Sequence, residues 1–182
     1  MPKVLIPLAQ GCEELEAITV IDLLRRAGIE VITAGLDDRP VTASRGVRIT
    51  PDTTLETVLE DAFDLVVLPG GLPGADHLDN DPRIKALLVQ QVQSDKKVAA
   101  ICAAPKVLAS AGLLENKRAT AYPDTLENLY LPHTEVSSIN LLVDGNVTTS
   151  RGPGTAMDFA LNLIEQLVGK DKRDEVETGL VR

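Results

Sequence analysis

One segment of the sequence joins a potential nucleophile to an abrupt change of local structure. Lys97 to Ile101 is an apolar, strand-forming run, and Ala103-Ala104-Pro105-Lys106 directly after Cys102 favours a helix. A side chain at such a strand-to-helix turn lies at the carboxyl edge of a parallel sheet, where open α/β folds bind their ligands. The pattern therefore predicts a nucleophile elbow that presents Cys102 to a cleft.

The helix after Cys102 would stabilise a thiolate through its dipole and free amides, so the sequence predicts a thiol pKa below the free value of roughly 8.5. The alternative is a small hydrophobic side chain packed between sheet and helix, which is the commoner fate of a lone cysteine. Position alone weighs these two interpretations about equally. Cys12 lies beside Glu13 and Glu14, which disfavour a thiolate, and is interpreted as a packing residue.

A glycine-rich turn is expected at the same edge of the sheet. Leu68-Pro69-Gly70-Gly71 follows a predicted strand, and its glycines allow a ligand or another chain segment to approach closely. The amide of Gly71 could serve with that of Ala103 as an oxyanion donor. Taken by itself, the segment is better explained as a tight turn at a strand end.

Three acids, Glu13, Glu14 and Glu16, begin the helix that follows the first strand. A parallel sheet would bring them to the edge that holds Cys102. A buried carboxyl beside a thiol can share one proton with it and has a raised pKa, which suits a general acid or base. The alternative is that they are helix-start acids facing solvent, as we expect of at least one.

Metal and nucleotide chemistry find no support in the sequence. His77 and His133 fall in separate predicted loops, and no Cys/His spacing suits zinc. Neither histidine is placed near Cys102. The dinucleotide fingerprint and the phosphate loop are both absent. We expect neither a metal nor a cofactor.

The elements that must position these residues alternate along the chain. Strands are predicted over 3–8, 30–34, 64–68 and 97–101, with a first helix, stopped by Gly28, between the first two. Further helices are predicted over 55–60, 82–94, 103–111 and 154–168. A β excursion over 41–49, a strand over 118–122 and a hairpin at Asp144-Gly145 complete the pattern. It indicates a mostly parallel sheet covered by helices in one domain, residues 1–182.

Composition excludes several classes of partner. The formal net charge is −9, no block of Lys or Arg occurs, and the aromatic residues are two Phe and two Tyr. Nucleic acid and anionic membranes are therefore not expected partners. The short apolar run at the start is interpreted as a strand and not as a signal or a membrane span. Two free cysteines suit a reducing, cytoplasmic compartment.

Four segments together resemble the ThiJ/PfpI superfamily, in the branch of the Parkinsonism-associated protein deglycase. They are Gly11-Cys12-Glu13-Glu14-Leu15-Glu16, Leu68-Pro69-Gly70-Gly71, Ala99-Ala100-Ile101-Cys102-Ala103-Ala104-Pro105 and Ser150-Arg151-Gly152-Pro153-Gly154-Thr155. The segments occur in the family's order and cover nearly the whole chain. The resemblance implies a flavodoxin-like three-layer α/β/α sandwich that forms a homodimer, and it favours a functional Cys102.

The resemblance also implies a role for each matching residue. Cys102 would be the nucleophile and an oxidation-sensitive thiol, with a protonated Glu16 hydrogen-bonded to its sulfur. The amides of Gly71 and Ala103 would receive the developing oxyanion. Arg45 would approach the neighbouring subunit's site. The pocket or its surroundings would further include Glu13, Gly70, Tyr122, Gly152 and Pro153.

One departure from the family concerns residue 122. Animal members carry a histidine before the proline of this segment, which here is Ala121-Tyr122-Pro123. An aromatic residue at this position resembles the bacterial branch, and the phenol of Tyr122 could still donate a hydrogen bond. The protease-like branch has a histidine directly after the cysteine, so Ala103 argues against peptidase activity.

The resemblance implies an enzyme that acts on small 2-oxoaldehydes without glutathione, or on early glycation adducts of proteins, through a Cys102 thiolate with Glu16 as proton shuttle. The alternative is an oxidative-stress sensor or redox-regulated chaperone in which Cys102 is oxidised to a sulfinate. A flavodoxin-like domain with an inert core cysteine ranks third.

Overall fold

A computed structural model describes residues 1–182 and contains eleven strands and seven helices. The strands are β1 Lys3–Leu8, β2 Glu30–Gly35, β3 Val41–Thr42, β4 Arg48–Ile49, β5 Thr53–Thr54, β6 Leu65–Leu68, β7 Lys97–Ile101, β8 Arg118–Thr120, β9 Glu135–Ser137, β10 Leu141–Asp144 and β11 Val147–Ser150. The helices are α1 Glu14–Arg26, α2 Leu55–Val58, α3 Gly74–Asn80, α4 Pro82–Gln93, α5 Pro105–Ser110, α6 Ala156–Val168 and α7 Lys170–Gly179.

Seven strands form the central sheet in the order β10-β11-β7-β6-β1-β2-β5. All neighbours are parallel except β10, which pairs antiparallel with β11. The strands β3 and β4 form a small antiparallel pair, and β8 and β9 a small parallel pair. Because β1, β6 and β7 are adjacent and parallel, their carboxyl ends meet at one edge of the sheet, where the three segments that follow them converge.

Both faces of the sheet are buried, as the alternation along β1 shows. Val4, Ile6 and Leu8 belong to one apolar core, with α1 and α6, whereas Leu5 belongs to the other, with α4 and α5. Side chains of successive strand residues point to opposite faces, so a strand buried on both faces is apolar throughout. This arrangement confirms the flavodoxin-like three-layer sandwich with a mostly parallel sheet.

Two helices, α3 and α7, were not predicted from the sequence. In α3, which places His77 in a helix and not in a loop, Asp76 and Asp79 bind Lys106 and Ser110 of α5. In α7 the side chains are mostly charged and only Val176 is buried. Neither helix has the continuous apolar stripe on which sequence recognition depends.

The helix after Cys102 also begins later than predicted. Residues 102–104 form a turn, in which the amide of Ala104 donates to the carbonyl of Ile101 at 3.0 Å, and α5 starts at Pro105. Proline suits the first helical position because its missing N–H has no partner to lose there. No helix of the structure combines the length and apolarity needed to cross a membrane.

Candidate active site

Cys102 occupies the turn between β7 and α5 with a strained backbone. Its φ is +63°, a left-handed conformation that costs a residue other than glycine about 1–3 kcal/mol. Two backbone hydrogen bonds hold it there: its amide donates to the carbonyl of Ser150 at 3.0 Å, and its carbonyl accepts from the amide of Tyr122 at 2.9 Å. The neighbouring chain segments thus hold the elbow that the sequence predicted.

Gly70, which follows β6, lets Cys102 and Glu16 come together. A Cβ atom on residue 70 would lie 2.6 Å from the Cβ of Cys102 and 2.8 Å from Oε2 of Glu16. The two side chains therefore flank the same point in space. Only glycine leaves that point empty, which explains the residue type at the end of this strand.

Glu16 is a fully buried carboxyl group on the inner face of α1. Its exposed fraction is 0%, its Oε2 accepts from the amide of Gly70 at 2.8 Å, and its Oε1 has no hydrogen-bond partner. Burial raises the pKa of Glu16 to about 7, against the opposing effects of the Gly70 amide and the Cys102 thiol. The sequence predicted a carboxyl of this kind, and the structure identifies Glu16 as the acid that is buried.

The thiol of Cys102 has a pKa opposite in direction to the one predicted. Burial and, next, the negative charge of Glu16 raise the pKa of Cys102 to about 12, while the amides of Gly71 and Ala103 act to lower it. The expectation of a lowered value was wrong because it counted the local dipoles and not the burial or the adjacent carboxylate. The two predicted amide donors do converge on the sulfur.

Glu16 and Cys102 titrate as a coupled pair. With pKa values of about 7 and about 12, the pair loses one proton near pH 7 and keeps the other until the pH is far higher. Between those limits it carries one proton and one negative charge. Glu16 Oε1 is free to take the proton, and the amides of Gly71 and Ala103 favour charge on the sulfur. The site can therefore generate a thiolate by internal proton transfer.

The other two acids of α1 have structural partners. The side chain of Glu13 caps the helix by accepting from the amide of Glu16 at 2.8 Å. Glu14 accepts from the Ser44 hydroxyl and the Arg45 amide, and these bonds outweigh its burial and lower its pKa. Glu13 and Glu14 are both partly exposed, and Glu14 in addition holds the loop between β3 and β4.

Cys102 opens into a cleft of about 710 Å³. The predicted residues that line it with Cys102 are Glu13, Arg45, Gly71, Ala103, Tyr122 and Pro153. The Arg45 guanidinium donates only to the Ser44 carbonyl, at 3.4 Å. Gly152 lies behind Tyr122: a Cβ there would be 3.4 Å from Cδ2 of the ring. The structure thus places these residues around one cavity, beside the pair formed by Cys102 and Glu16.

The sequence did not indicate several other residues of the cleft. They are Ser44, Leu72, Lys106, Pro123, Asp124, Thr125 and Leu129. Lys106 lies four residues after Cys102 at the start of α5, and Leu72 directly follows Gly71, so those two carried a usable signal. Leu129 carried none, because an irregular segment brings it to the site.

No group of three or more His, Cys, Asp or Glu side chains comes together that could hold a metal ion. His77 lines a separate cleft at the ends of β1 and β2, and His133 lies in a turn before β9. The reactive groups near Cys102 are therefore a thiol, a buried carboxyl and two amides, which together can add sulfur to a carbonyl and move protons.

Fold and site define a class of α/β proteins with a cysteine at a strand-to-helix elbow and a buried acid beside it. The model of the DJ-1/PfpI family matches residues 2–166, and the chain belongs to this family. It is 47% identical to Protein dj-1beta of Drosophila melanogaster over 97% of this chain and 95% of that one.

Further comparisons extend the likeness to structure and to other organisms. The crystal structure of Drosophila melanogaster DJ-1beta matches with a TM-score of 0.95 and 44% identity, covering 99% of this chain and 97% of that one. Oxidized Toxoplasma gondii DJ-1 also gives 0.95, at 37% identity over 100% and 98% of the two chains. The glutathione-independent glyoxalase DJR-1.2 of Caenorhabditis elegans is 36% identical over 95% of this chain and 91% of that one.

Proposed function

We propose that this protein is a glutathione-independent glyoxalase that converts 2-oxoaldehydes to 2-hydroxy acids, with Cys102 as nucleophile and Glu16 as proton shuttle. The observation that carries the proposal is the contact of a buried carboxyl with a thiol that opens into a cleft and faces two amides. A relative named as a glyoxalase of this kind supports it.

The first step forms a carbon–sulfur bond. Glu16 takes the proton of Cys102 while the sulfur attacks the aldehyde carbon, and the carbonyl electron pair moves to oxygen. The amides of Gly71 and Ala103, which act on the sulfur, would stabilise that oxyanion. Glu16 then protonates it, which gives a neutral hemithioacetal and restores the carboxylate.

The later steps move one proton between two carbons. Glu16 removes the proton from the former aldehyde carbon, giving an enediolate, and returns it to the neighbouring carbon, while the hydroxyl proton of the first carbon passes to the oxygen of the second. The product is a thioester of a 2-hydroxy acid, which water hydrolyses to the free acid and the thiol. One carbon is oxidised and the other reduced, so the reaction consumes only water. On an early glycation adduct, a hemiaminal, the sulfur would displace the amine from the same carbon while Glu16 passes the thiol proton to the leaving nitrogen. The resulting hemithioacetal would follow the later steps, which constitutes deglycase activity.

The decisive experiment is lactate formation from methylglyoxal by the wild type and three variants. Cys102→Ser removes the nucleophile and is expected to abolish the activity. Glu16→Gln removes the shuttle and is expected to cost about 10²–10⁴-fold in kcat. Cys12→Ala is the matched control and should retain the wild-type rate. Retention of the rate by Cys102→Ser would contradict the proposal.

A second candidate function is redox sensing, including a redox-regulated chaperone. Two amides and the protonated form of Glu16 would bind the oxygens of a Cys102 sulfinate, and the oxidized state of Toxoplasma gondii DJ-1 supports this candidate. Mass spectrometry after mild peroxide treatment separates the two functions. Selective sulfinate at Cys102 with negligible aldehyde turnover would favour the sensor over the enzyme.

We also propose a homodimer. Apolar side chains on the outer faces of α1 and α6 and on the adjoining loop are 39–51% exposed; they are Leu15, Ile18, Val47 and Met157. Leu15 and Met157 line a shallow cleft together with Pro153, which also lines the Cys102 cleft. A second copy covering this surface would bury apolar area next to the site. Light scattering at the mass of one 19.5 kDa chain would contradict the dimer.

A further inference from the structure

The entrance of the Cys102 cleft is bordered by exposed apolar side chains. Leu72 is 60%, Tyr122 52% and Leu129 43% exposed. Together with Pro123 and Pro153 they line the cleft, and we call these five residues the apolar collar. Removing apolar surface from water is favourable, so a ligand group that covers the collar would bind more tightly.

The apolar collar is tied to the backbone that carries the reactive groups. Leu72 directly follows Gly71, whose amide acts on the Cys102 sulfur. The amide of Tyr122 donates to the carbonyl of Cys102 at 2.9 Å, and its ring lies next to Gly152. A substituent on a carbonyl carbon bound to Cys102 would therefore have these apolar surfaces beside it.

The cleft has no excess of positive charge. Of its charged lining side chains, two are acids, Glu13 and Asp124, and two are bases, Arg45 and Lys106, and the pair of Cys102 and Glu16 adds one negative charge at neutral pH. Glu13 caps α1, and Lys106 pairs with Asp76 of α3. Such a lining does not attract an anionic substrate, so discrimination among neutral substrates rests on apolar contact.

We propose that this cleft selects neutral 2-oxoaldehydes that carry an aryl or similarly large apolar group over methylglyoxal, and that the apolar collar holds that group. The inference rests on the proposed glyoxalase function and names its substrate class. A cleft of about 710 Å³ has the size of sites for drug-sized ligands, whereas methylglyoxal offers a single methyl group to the collar.

The test compares kcat/KM for phenylglyoxal and methylglyoxal, measured as mandelate and lactate formed. The wild type should prefer phenylglyoxal by roughly tenfold or more, the size of discrimination that apolar pockets achieve. Tyr122→Ala and Leu72→Ala should each lower that ratio severalfold. Tyr122→Phe keeps the ring and should keep the ratio, which separates apolar contact from a hydrogen bond of the phenol.

Tyr130→Ala is the matched control, because Tyr130 is 90% exposed and does not line the cleft. It should leave both rates unchanged. A wild-type ratio near one would overturn the proposal, as would a ratio that neither Tyr122→Ala nor Leu72→Ala lowers. Either result would leave the glyoxalase function standing if Cys102→Ser is inactive.

A measurement without turnover keeps the inference testable if no hydroxy acid forms. Benzaldehyde and acetaldehyde are compared as reversible protectants of Cys102 against alkylation by iodoacetamide. Benzaldehyde should protect at a concentration about tenfold lower in the wild type, and Tyr122→Ala should reduce the difference. Equal protection by both aldehydes would overturn the selectivity, whatever the fate of the glyoxalase proposal.

Discussion

The two cysteines of this chain show how little burial alone decides about reactivity. Both are buried, at 0% exposure for Cys12 and 8% for Cys102, and burial is the largest cause that raises the pKa of each to about 12. They differ in what surrounds the sulfur. Cys102 faces an open cleft, whereas Cys12 does not line it.

The two thiols also differ in whether a nearby acid can accept their proton. For Cys12 the causes after burial are the acids Glu14 and Glu13, which have other hydrogen-bond partners and are not poised to take its proton. For Cys102 the acid is Glu16, itself buried and half unpartnered, and two amides oppose the rise. A thiol with a high pKa can thus act as a nucleophile where a base accepts its proton and hydrogen-bond donors stabilise the thiolate.

The largest expected difference between the cysteines is their rate of alkylation. In the native protein iodoacetamide should label Cys102 at least about 100-fold faster than Cys12, because only Cys102 lines the cleft and can pass its proton to Glu16. Peptide mass spectrometry over a time course measures both rates. Urea-unfolded protein is the control, in which the rates should become similar. Similar labelling rates for the two cysteines in the native protein would contradict the proposed difference in their reactivity.

A second prediction concerns the acid partner and the free energy of unfolding. The pKa of Glu16 is raised from 4.5 to about 7 on folding, so its stabilising contribution is fully present below pH 4.5 and is lost as pH rises through 7. The difference amounts to about 3 kcal/mol. Urea titrations between pH 4.5 and 8 should show this loss in the wild type but not in Glu16→Gln.

Glu14→Gln provides the matched control for the titration. The pKa of Glu14 is lowered on folding, so its contribution is present above pH 4.5 and is lost only as pH falls below that value. The Glu14→Gln variant should therefore follow the wild-type pH dependence between pH 4.5 and 8. If Glu16→Gln follows it as well, Glu16 does not have a raised pKa.

A third prediction concerns the two glycines that pack against the cysteines, Gly70 against Cys102 and Gly74 against Cys12. A Cβ at residue 70 would lie 2.6 Å from the Cβ of Cys102, and one at residue 74 would lie 2.6 Å from both the Cα and the amide nitrogen of Cys12. Gly70→Ala and Gly74→Ala should each lower the free energy of unfolding by about 1–3 kcal/mol.

Only Gly70→Ala should also separate the thiol from its acid. It is expected to slow alkylation of Cys102 and to change the pH dependence of that rate, because the added methyl group displaces Cys102 or Glu16. Gly74→Ala serves as the equally crowded control. An unchanged pH profile in Gly70→Ala would show that the contact at residue 70 does not couple the pair.

These cases show which parts of the site can be predicted from sequence. The position of Cys102 was predictable because a strand, a cysteine and a helix-favouring segment are contiguous, and periodicity reports contiguous structure well. The flavodoxin-like sheet was predictable for the same reason. Glu16 could be singled out from Glu13 and Glu14 only by resemblance, since the three acids are equivalent in local pattern.

The pKa of Cys102 was wrongly predicted because desolvation depends on atoms contributed by distant segments. Gly70 and Glu16 lie against Cys102, and neither is close to it in sequence. For a comparable reason α3 was missed, since its contacts with α5 join residues about thirty positions apart. Local sequence patterns predict secondary structure, whereas the pKa of a side chain depends on its neighbours in the tertiary structure.

The smallest expected effect concerns the charge next to Cys102 on α5. Lys106 lines the cleft but is paired with Asp76, so most of its field there is cancelled. In Lys106→Met the rate of Cys102 alkylation by the anion iodoacetate, relative to neutral iodoacetamide, should fall by roughly two- to threefold. Lys85→Met, which removes a lysine that pairs with Asp79 outside the cleft, should leave the ratio unchanged. A tenfold fall would mean that Asp76 does not neutralise Lys106, and the cleft would then favour anionic ligands over the neutral aldehydes proposed above.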